Sequence, residues 1–306
     1  MQKHSTARHP SGQHSTGRYA SPRHASPRHA ILSRAVPHAR RSLTLSLLAI
    51  ATAACAPLLP QNNATLERLT TAPHRSPNNV ARDNLRHPVE SLSFFGIRED
   101  STVVEILPGS GGYYMEILAP YLKDKGRYIA ANRDPAAPPQ YLADHQKLLA
   151  RLKAEPAHYG KVDVTQFNAG FHDIAPAGSA DFVITFRDLH NWIARNEIDG
   201  ALRVFHKALK PGGVLGIVDH RGLPNVPQEA QNKNGYVRQD YAIALIEKAG
   251  FKFAGASEVN ANPKDTKDHP DGVWSLPPTY RSKDVTRAKF AAIGESDRFT
   301  LRFVKQ

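Results

Sequence analysis

The stretch Glu105-Ile106-Leu107-Pro108-Gly109-Ser110-Gly111-Gly112 decides the fold of this chain of 306 residues. It ends the β-branched segment Thr102–Ile106, a predicted strand, and precedes residues 113–122, whose apolar side chains recur at helical spacing. A glycine-rich turn between a strand and a helix lets the backbone approach a ligand closely, and the start of the helix offers unpaired N–H groups. The dinucleotide-binding pattern G-x-G-x-x-G is excluded, because Tyr114 replaces its last glycine.

Outward from this turn, strand-like and helix-like segments alternate from about residue 88 to the end of the chain. This alternation predicts an α/β fold with a seven-stranded, mostly parallel sheet and helices on both faces. No helix is predicted between the sixth and seventh strands, so the last strand can pair antiparallel. The predicted strands cover 102–106, 128–131, 162–167, 181–186, 214–218, 251–259 and 299–304. The predicted helices cover 89–95, 113–122, 141–154, 198–209 and 241–249.

The net charge of +12 is unevenly distributed. Residues 1–55 contain eight Lys and Arg and no acidic residue, so they supply 8 of the 12 positive charges. The folded part therefore has no evident basic stripe, and we expect a small-molecule partner and no nucleic-acid partner.

The N-terminal region divides into three predicted segments. Residues 1–41 are a basic low-complexity segment, rich in His, Ser, Arg and Pro, which we expect to be disordered. Its histidines indicate a metal-binding tail, a solvated tail, or residues that are not translated because the true start lies downstream. Residues 42–55 resemble an export signal, because a basic pair precedes a short apolar run. Residues 56–76 read as a linker, and 77–306 as the folded domain.

The apolar run ends in Thr52-Ala53-Ala54-Cys55, which resembles a bacterial lipoprotein signal. In such signals the cysteine is lipidated and becomes the new N-terminus, so membrane contact would be made through Cys55 alone. The alternative is a chance cysteine in a Sec or twin-arginine signal. Either reading predicts an exported protein, periplasmic or anchored to a membrane; a misread signal would leave it cytoplasmic.

Two motifs resemble those of class I S-adenosylmethionine-dependent methyltransferases. A strand-end acidic residue followed by x-x-P-G-x-G-G, at 105–112, is similar to motif I of that superfamily. The step Lys210-Pro211-Gly212-Gly213 before the fifth predicted strand also recurs there. Residues 88–306 as a whole resemble a little-characterised group of bacterial predicted methyltransferases, some of them exported or lipoprotein-like. The resemblance rests on F-R-x-L-H-N-W at 186–192, N-P-K-D-T-K-D-H-P at 262–270 and G-E-S-D-R at 294–298.

This resemblance implies the Rossmann-like class I methyltransferase fold with S-adenosyl-L-methionine as cofactor. Glu105 and the backbone of 109–112 would surround the methionine part of the cofactor. Family members usually carry an acidic residue for the ribose where this chain has Asn132, and Asp173 is a candidate for the adenine edge. The predicted cofactor-binding residues are Glu105, Pro108, Gly109, Ser110, Gly111, Gly112, Tyr113, Asn132, Asp173 and Arg187.

Ligands of open α/β sheets bind beyond the carboxyl ends of the strands. Polar clusters follow the fourth, fifth and sixth predicted strands there, beside two tryptophans. His190 and His220 are the predicted catalytic bases, because imidazole titrates near neutrality. The predicted substrate-binding residues are Asn191, Trp192, Asn262, Lys264 and Trp274.

An alternative function keeps the fold without methyl transfer. In that reading the chain is an exported binding or metal-assisted protein, and a group of histidines and aspartates converges on a divalent cation. Export itself favours this alternative, because S-adenosylmethionine is made in the cytoplasm. The candidate ligands are His190, His220, His269, Asp219, Asp265 and Asp268.

Overall fold

The computed structural model describes residues 63–133, 139–168, 173–281 and 287–306. The predicted low-complexity segment, the export signal with Cys55 and the first part of the predicted linker lie outside these residues. Among the helices of the described ranges, none has both the length and the apolar content needed to cross a membrane.

The described residues contain seven strands that form one sheet. The strands are β1 (Thr102–Ile106), β2 (Arg127–Arg133), β3 (Asp163–Phe167), β4 (Ala180–Phe186), β5 (Leu209–His220), β6 (Phe251–Ser257) and β7 (Arg298–Lys305). Their order is β3-β2-β1-β4-β5-β7-β6, with β1 to β5 paired in parallel and β7 antiparallel to both β5 and β6. The predicted α/β fold is confirmed, including the antiparallel last strand.

Helices precede the sheet and connect its strands. They are α1 (Ala64–Thr70), α2 (Pro77–Val80), α3 (Asp83–Arg86), α4 (Pro88–Phe95), α5 (Met115–Leu122), α6 (Pro139–Ala154), α7 (Pro156–Tyr159), α8 (Leu189–Ala194), α9 (Ile198–Ala208), α10 (Gln228–Asn232), α11 (Gln239–Lys248) and α12 (Arg287–Ile293). The five predicted helices correspond to α4, α5, α6, α9 and α11, with small differences at their ends.

The core consists of two layers, one on each face of the sheet. Successive side chains of a strand point to opposite faces. Val104 and Ile106 of β1 therefore pack in the layer formed by α8, α9 and α11. Val103 packs in the other layer, against α1, α4, α5 and α6. Helices cover both faces of the sheet, as the near-continuous apolar character of β1 and β4 predicts.

The prediction that no helix lies between β6 and β7 is wrong. A 3₁₀ helix (Gly272–Ser275) and α12 lie between these strands. Phe290 of α12 is buried, and its ring packs edge-on against the ring of His269 at 5.6 Å. A helix this short has too few apolar positions to show a helical period in the sequence.

The predicted linker is also wrong for residues 63–76, which pack against the body of the protein. Asn63 caps α1 by accepting the N–H of Leu66, and its amide donates to the hydroxyl of Tyr121 at 2.7 Å. Leu66 is fully buried, and the side chain of Arg75 is buried in an ion pair with Asp83. The Asn and Thr residues around α1 obscure its helical pattern in the sequence, so this short helix was not predicted.

Candidate active site

The loop between β1 and α5 is tightly folded. Leu107 and Gly112 both have positive φ, at 54° and 50°, a region that side chains with a Cβ rarely adopt. The N–H of Leu107 nevertheless donates to the carbonyl of Ala131 at 2.9 Å, which holds the loop against β2. A Cβ on Gly112 would lie 2.7 Å from Cε of Met115. The positive φ thus favours glycine at 112, and a larger residue there would also displace the end of the Met115 side chain.

Three side chains from two helices hold this loop. Asp144 of α6 accepts the N–H of Ser110 at 3.1 Å. The carbonyl of Gly111 accepts from Asn79 of α2 at 2.9 Å and from Arg151 of α6 at 3.0 Å. The protein itself thus uses the Ser110 N–H that the sequence assigned to the cofactor.

A cavity of about 290 Å³ lies beside the loop, at the carboxyl ends of β1 and β4. Its volume is at the lower limit of small-molecule pockets. Six predicted cofactor-binding residues line it: Glu105, Pro108, Gly111, Gly112, Tyr113 and Arg187. The rest of the wall consists of residues that were not predicted to bind the cofactor: Asn79, Arg82, Arg86, Ile106, Leu107, Tyr114, Phe186 and Asp188.

Four predicted cofactor-binding residues do not line this cavity. Gly109 and Ser110 lie against Asp144. Asp173 is exposed and forms an ion pair with Lys207 of α9 at 2.8 Å. The fourth, Asn132, is buried at the end of β2.

Glu105 is a buried carboxyl that borders the cavity. Its only hydrogen-bond donor among the described side chains is the hydroxyl of Tyr128, at 2.5 Å. Burial raises the pKa of Glu105 to about 7, although the Tyr128 hydrogen bond and the charge of Arg86 act in the opposite direction. The group therefore changes charge near neutral pH.

Asn132 provides a test of whether the implied cofactor fits. Its amide nitrogen donates to Nδ1 of His145 at 3.1 Å. Its Oδ1 is buried and has no hydrogen-bond partner among the described residues. A buried acceptor without a donor is costly. A ribose hydroxyl is a suitable donor, but Asn132 does not line the cavity, so its predicted role requires that the buried Oδ1 becomes accessible to a ligand.

Arg187 and Asp188 follow β4 directly and both line the cavity. Arg187 has a φ of 66°, and its N–H donates to the carbonyl of Val218 at 2.8 Å. Burial and the neighbouring charge of Arg86 lower the pKa of Arg187 to about 10. Burial raises the pKa of Asp188 to about 6. Asp188 is thus a carboxylate at the cavity with a pKa suited to accept a proton.

His190, in the first turn of α8, is held by Asp219 at the end of β5. The carboxylate of Asp219 accepts both the backbone N–H of His190, at 3.0 Å, and its Nδ1–H, at 2.9 Å. The Nε2 of His190 has no hydrogen-bond partner in the described ranges. This arrangement orients the imidazole and leaves one nitrogen free, which is the geometry of an aspartate-supported general base.

His220 lies beside this pair, with its ring centroid 4.9 Å from that of His190. Its Nδ1 shares a hydrogen bond of 2.5 Å with the hydroxyl of Ser296. Burial lowers the pKa of His220 well below its usual value, and the charges of His190, Arg187 and Arg298 add to the effect. The His220 imidazole is therefore neutral. The structure brings the two predicted catalytic histidines together.

A second buried pair involves His269 and Asp265. The Nε2–H of His269 donates to Asp265 at 2.9 Å, and the hydroxyl of Tyr236 donates to the same carboxylate. These residues are separate from the His190 pair, and Asp268 is exposed. Among the described residues, the candidate metal ligands thus reduce to His190, Asp219 and His220, with ligand atoms within 4.8 Å of one another.

The structure separates the predicted substrate-binding residues. Trp274 lies near the predicted base, with its ring centroid 6.0 Å from that of His190. Trp192 is instead a core residue, buried edge-on against Phe167 and Phe205. Asn191 follows His190 on α8 but does not line the cavity.

The polar loop after β6 has a structural role in place of the predicted substrate-binding one. Asn262 donates from its amide to the carbonyls of Ile293 and Glu295, at 2.9 and 2.7 Å. Its Oδ1 accepts the N–H of Lys264, whose side chain is exposed. Asn262 therefore positions Glu295 and does not face the cavity.

Glu295 joins arginines of the N-terminal helical segment to an arginine at the start of β7. It accepts hydrogen bonds from Arg82, Arg86 and Arg298. Burial alone would raise its pKa, but the surrounding arginines hold it at about 2. Glu295 belongs to the G-E-S-D-R motif, which was the available signal for it. Arg82 and Arg86 carried no signal, because nothing in the sequence connects them with residues 200 positions away.

No family model and no curated protein matches the sequence. Solved structures do match the fold. A SAM-dependent methyltransferase from Aquifex aeolicus superposes with a TM-score of 0.51 at 16% identity, covering 79% of this chain and 97% of the other. A putative sarcosine dimethylglycine methyltransferase from Galdieria sulphuraria gives 0.50 at 12% identity, covering 74% and 86%. The chain therefore has the Rossmann-like fold of the class I S-adenosylmethionine-dependent methyltransferases.

Proposed function

We propose that this chain is an S-adenosylmethionine-dependent methyltransferase acting on a small molecule. The observation that carries the proposal is the cavity bounded by the loop after β1, on a fold shared with such enzymes. A small-molecule acceptor is favoured over a nucleic acid because the basic residues are concentrated before residue 56 and leave no evident basic stripe on the folded part.

When bound, S-adenosylmethionine supplies an electrophilic methyl group on a sulfonium. On the protein side, the ionised form of Glu105 attracts a positively charged ligand at the cavity wall. The free Oδ1 of Asn132 accepts a hydrogen bond from a ribose hydroxyl. The remaining contribution is orientation, because an in-line displacement is accelerated mainly by placing its reactants correctly.

An acceptor that must lose a proton needs a base. We assign this role to His190, with Asp219 as the positioning residue that holds the ring. Asp188, two residues before His190 and at the cavity wall, is the carboxylate best placed to relay the proton. His220 is neutral and supports the ring of His190 by contact.

Titration of the full-length protein with S-adenosylhomocysteine tests the cofactor. We expect one-to-one binding, weakened at least about tenfold by Gly111→Val. Gly111 lines the cavity and a Cβ there meets no atom within 4 Å, so valine occupies ligand space without disturbing the fold. Thermal unfolding of the variant should match the wild type. Absence of binding to the wild type at millimolar ligand would contradict the proposal.

The alternative of a metal-assisted protein draws on the His190, Asp219 and His220 cluster. Electrostatics argue against it. Arg86, Arg187 and Arg298 all act to lower the pKa of His220, which means that they disfavour positive charge there. A divalent cation carries two positive charges, so these arginines would repel it about twice as strongly as a singly charged group.

We further propose that the chain is exported and anchored through lipidated Cys55. The basis is the sequence of residues 42–55 alone. Fractionation of cells expressing the wild type and Cys55→Ala tests it: the wild type should sediment with membranes, and the variant should be released. An unchanged distribution would count against the anchor. Export with bound cofactor would reconcile this location with methyl transfer.

A further inference from the structure

The cavity wall carries more positive than negative charge. Four guanidinium groups, those of Arg82, Arg86, Arg187 and Arg298, act electrostatically on the single carboxylate of Glu295. Three of them bond to it directly, at 2.8 Å from Nε of Arg82, 3.1 Å from Nε of Arg86 and 2.6 Å from Nη1 of Arg298.

Arg187 is the fourth, and it has no acidic partner of its own. Its guanidinium makes no hydrogen bond or ion pair with any residue of the described ranges. It lines the cavity together with Arg82 and Arg86, which come from the segment of the N-terminal helices. The positive φ of Arg187 and its backbone bond to Val218 fix where its side chain starts. A guanidinium held in this way is a donor pair without an acceptor.

The carboxyl groups of the wall, Glu105 and Asp188, do not balance these charges. Even when both are ionised, they and Glu295 supply three negative charges against the four guanidinium groups. Burial also raises the pKa of Glu105 to about 7, so Glu105 is only partly ionised at neutral pH. S-adenosylmethionine does not supply the balance either. Its sulfonium and ammonium outweigh its one carboxylate, so its binding adds positive charge to the site. A second ligand that is an anion would restore neutrality.

We propose that the methyl acceptor is an anion, and that Arg187, together with Arg86, binds its carboxylate or phosphate group in this cavity. The proposal rests on the proposed function. Guanidinium groups bind both carboxylate and phosphate through paired N–H donors. The arginines then serve two ends: they hold the acceptor and they select against neutral and cationic analogues.

The test uses the full-length protein saturated with S-adenosylhomocysteine and titrated calorimetrically with inorganic phosphate in a chloride-free buffer. We expect saturable binding to the wild type and a loss of at least about tenfold in affinity for Arg187→Gln. Arg187→Lys keeps the charge but lacks the paired donors, so its affinity should lie between those of the wild type and Arg187→Gln. Arg195→Gln, at the exposed end of α8, is the matched control and should bind as the wild type does.

Two results would overturn the proposal. One is phosphate affinity that is absent in the wild type or equal in Arg187→Gln. The other is an Arg187→Gln protein that loses affinity for S-adenosylhomocysteine but not for methylthioadenosine, which lacks the carboxylate. In that case Arg187 binds the cofactor and not the acceptor. Failure of the wild type to bind S-adenosylhomocysteine at all would instead overturn the proposed function, and it is read from a separate titration.

Discussion

Replacing His190 by alanine is expected to lower kcat for methyl transfer by about 10²- to 10⁴-fold, the usual contribution of a general base. Affinity for S-adenosylhomocysteine should stay within about twofold, because His190 does not line the cavity at the loop after β1. Transfer of a labelled methyl group to small carboxylates and phosphate esters provides the assay. Asp219→Asn should produce a smaller loss of the same kind, since it removes the support of the ring and not the base.

The chain contains a matched control for this variant. His269 is buried like His190, and its Nε2 lies 2.9 Å from a carboxylate of Asp265, as Nδ1 of His190 does from Asp219. His269→Ala should therefore cost comparable stability while leaving turnover close to wild type. Equal losses of turnover in the two variants would mean that His190 acts only through the fold. Unchanged turnover in His190→Ala would remove it from the reaction.

Replacing Glu105 by glutamine is expected to stabilise the protein without ligand at about pH 8 by about 2 kcal/mol. Glutamine keeps an oxygen that can accept the hydrogen bond of Tyr128. It does not have to ionise in a buried position. The same change should weaken cofactor binding at least about tenfold, because it removes negative charge next to a cationic ligand. Urea unfolding and calorimetric titration measure the two effects.

The pH dependence of this stabilisation follows from the difference between the pKa of Glu105 in the folded protein and in the unfolded chain. Burial raises its pKa from 4.5 to about 7 in the folded protein. The folded protein therefore binds the proton more tightly than the unfolded chain, and the free energy of unfolding of the wild type falls as pH rises between these values. The advantage of Glu105→Gln should be absent near about pH 4 and complete above about pH 7.

Glu295→Gln is the matched control, and its effect has the opposite sign. Arginines hold the pKa of Glu295 at about 2 against the effect of burial. Glutamine keeps one acceptor oxygen but removes the negative charge that Arg82, Arg86 and Arg298 surround, and it should destabilise the protein by about 3 kcal/mol at neutral pH. That loss should shrink as pH falls from about 4.5 towards about 2. Stabilisation by both variants would contradict the assignment of Glu105.

Local sequence predicted those parts of the molecule that short-range physics determines. The bounds of strand β1 were predicted to the residue. Its β-branched run ends at a glycine-rich turn, and such a turn continues neither a strand nor a helix. Glu105 and Gly112 were assigned to the site for the same reason, and both line the cavity. His190 and His220 were placed near each other because parallel strands end at one edge of the sheet.

The remaining site residues depend on contacts that are distant in sequence. Arg82 and Arg86 reach the cavity because α1 to α3 pack against the body of the protein. Leu66 of α1 is buried there, in the same core layer as Val103. Trp192, predicted to contact substrate, lies in the core, where burial stabilises a large aromatic side chain. The amide of Asn262, also predicted to contact substrate, is occupied by two carbonyls of the chain itself.

The bond between Arg82 and Glu295 joins residues 213 positions apart, and it holds one arginine of the cavity wall. During synthesis the residues that line the cavity, from Asn79 to Asp188, leave the ribosome long before Glu295 exists. On a growing or prematurely ended chain, Arg82 and Arg86 therefore lack the carboxylate that gathers them. The charged wall of the ligand site reaches its final arrangement only after translation has passed residue 295.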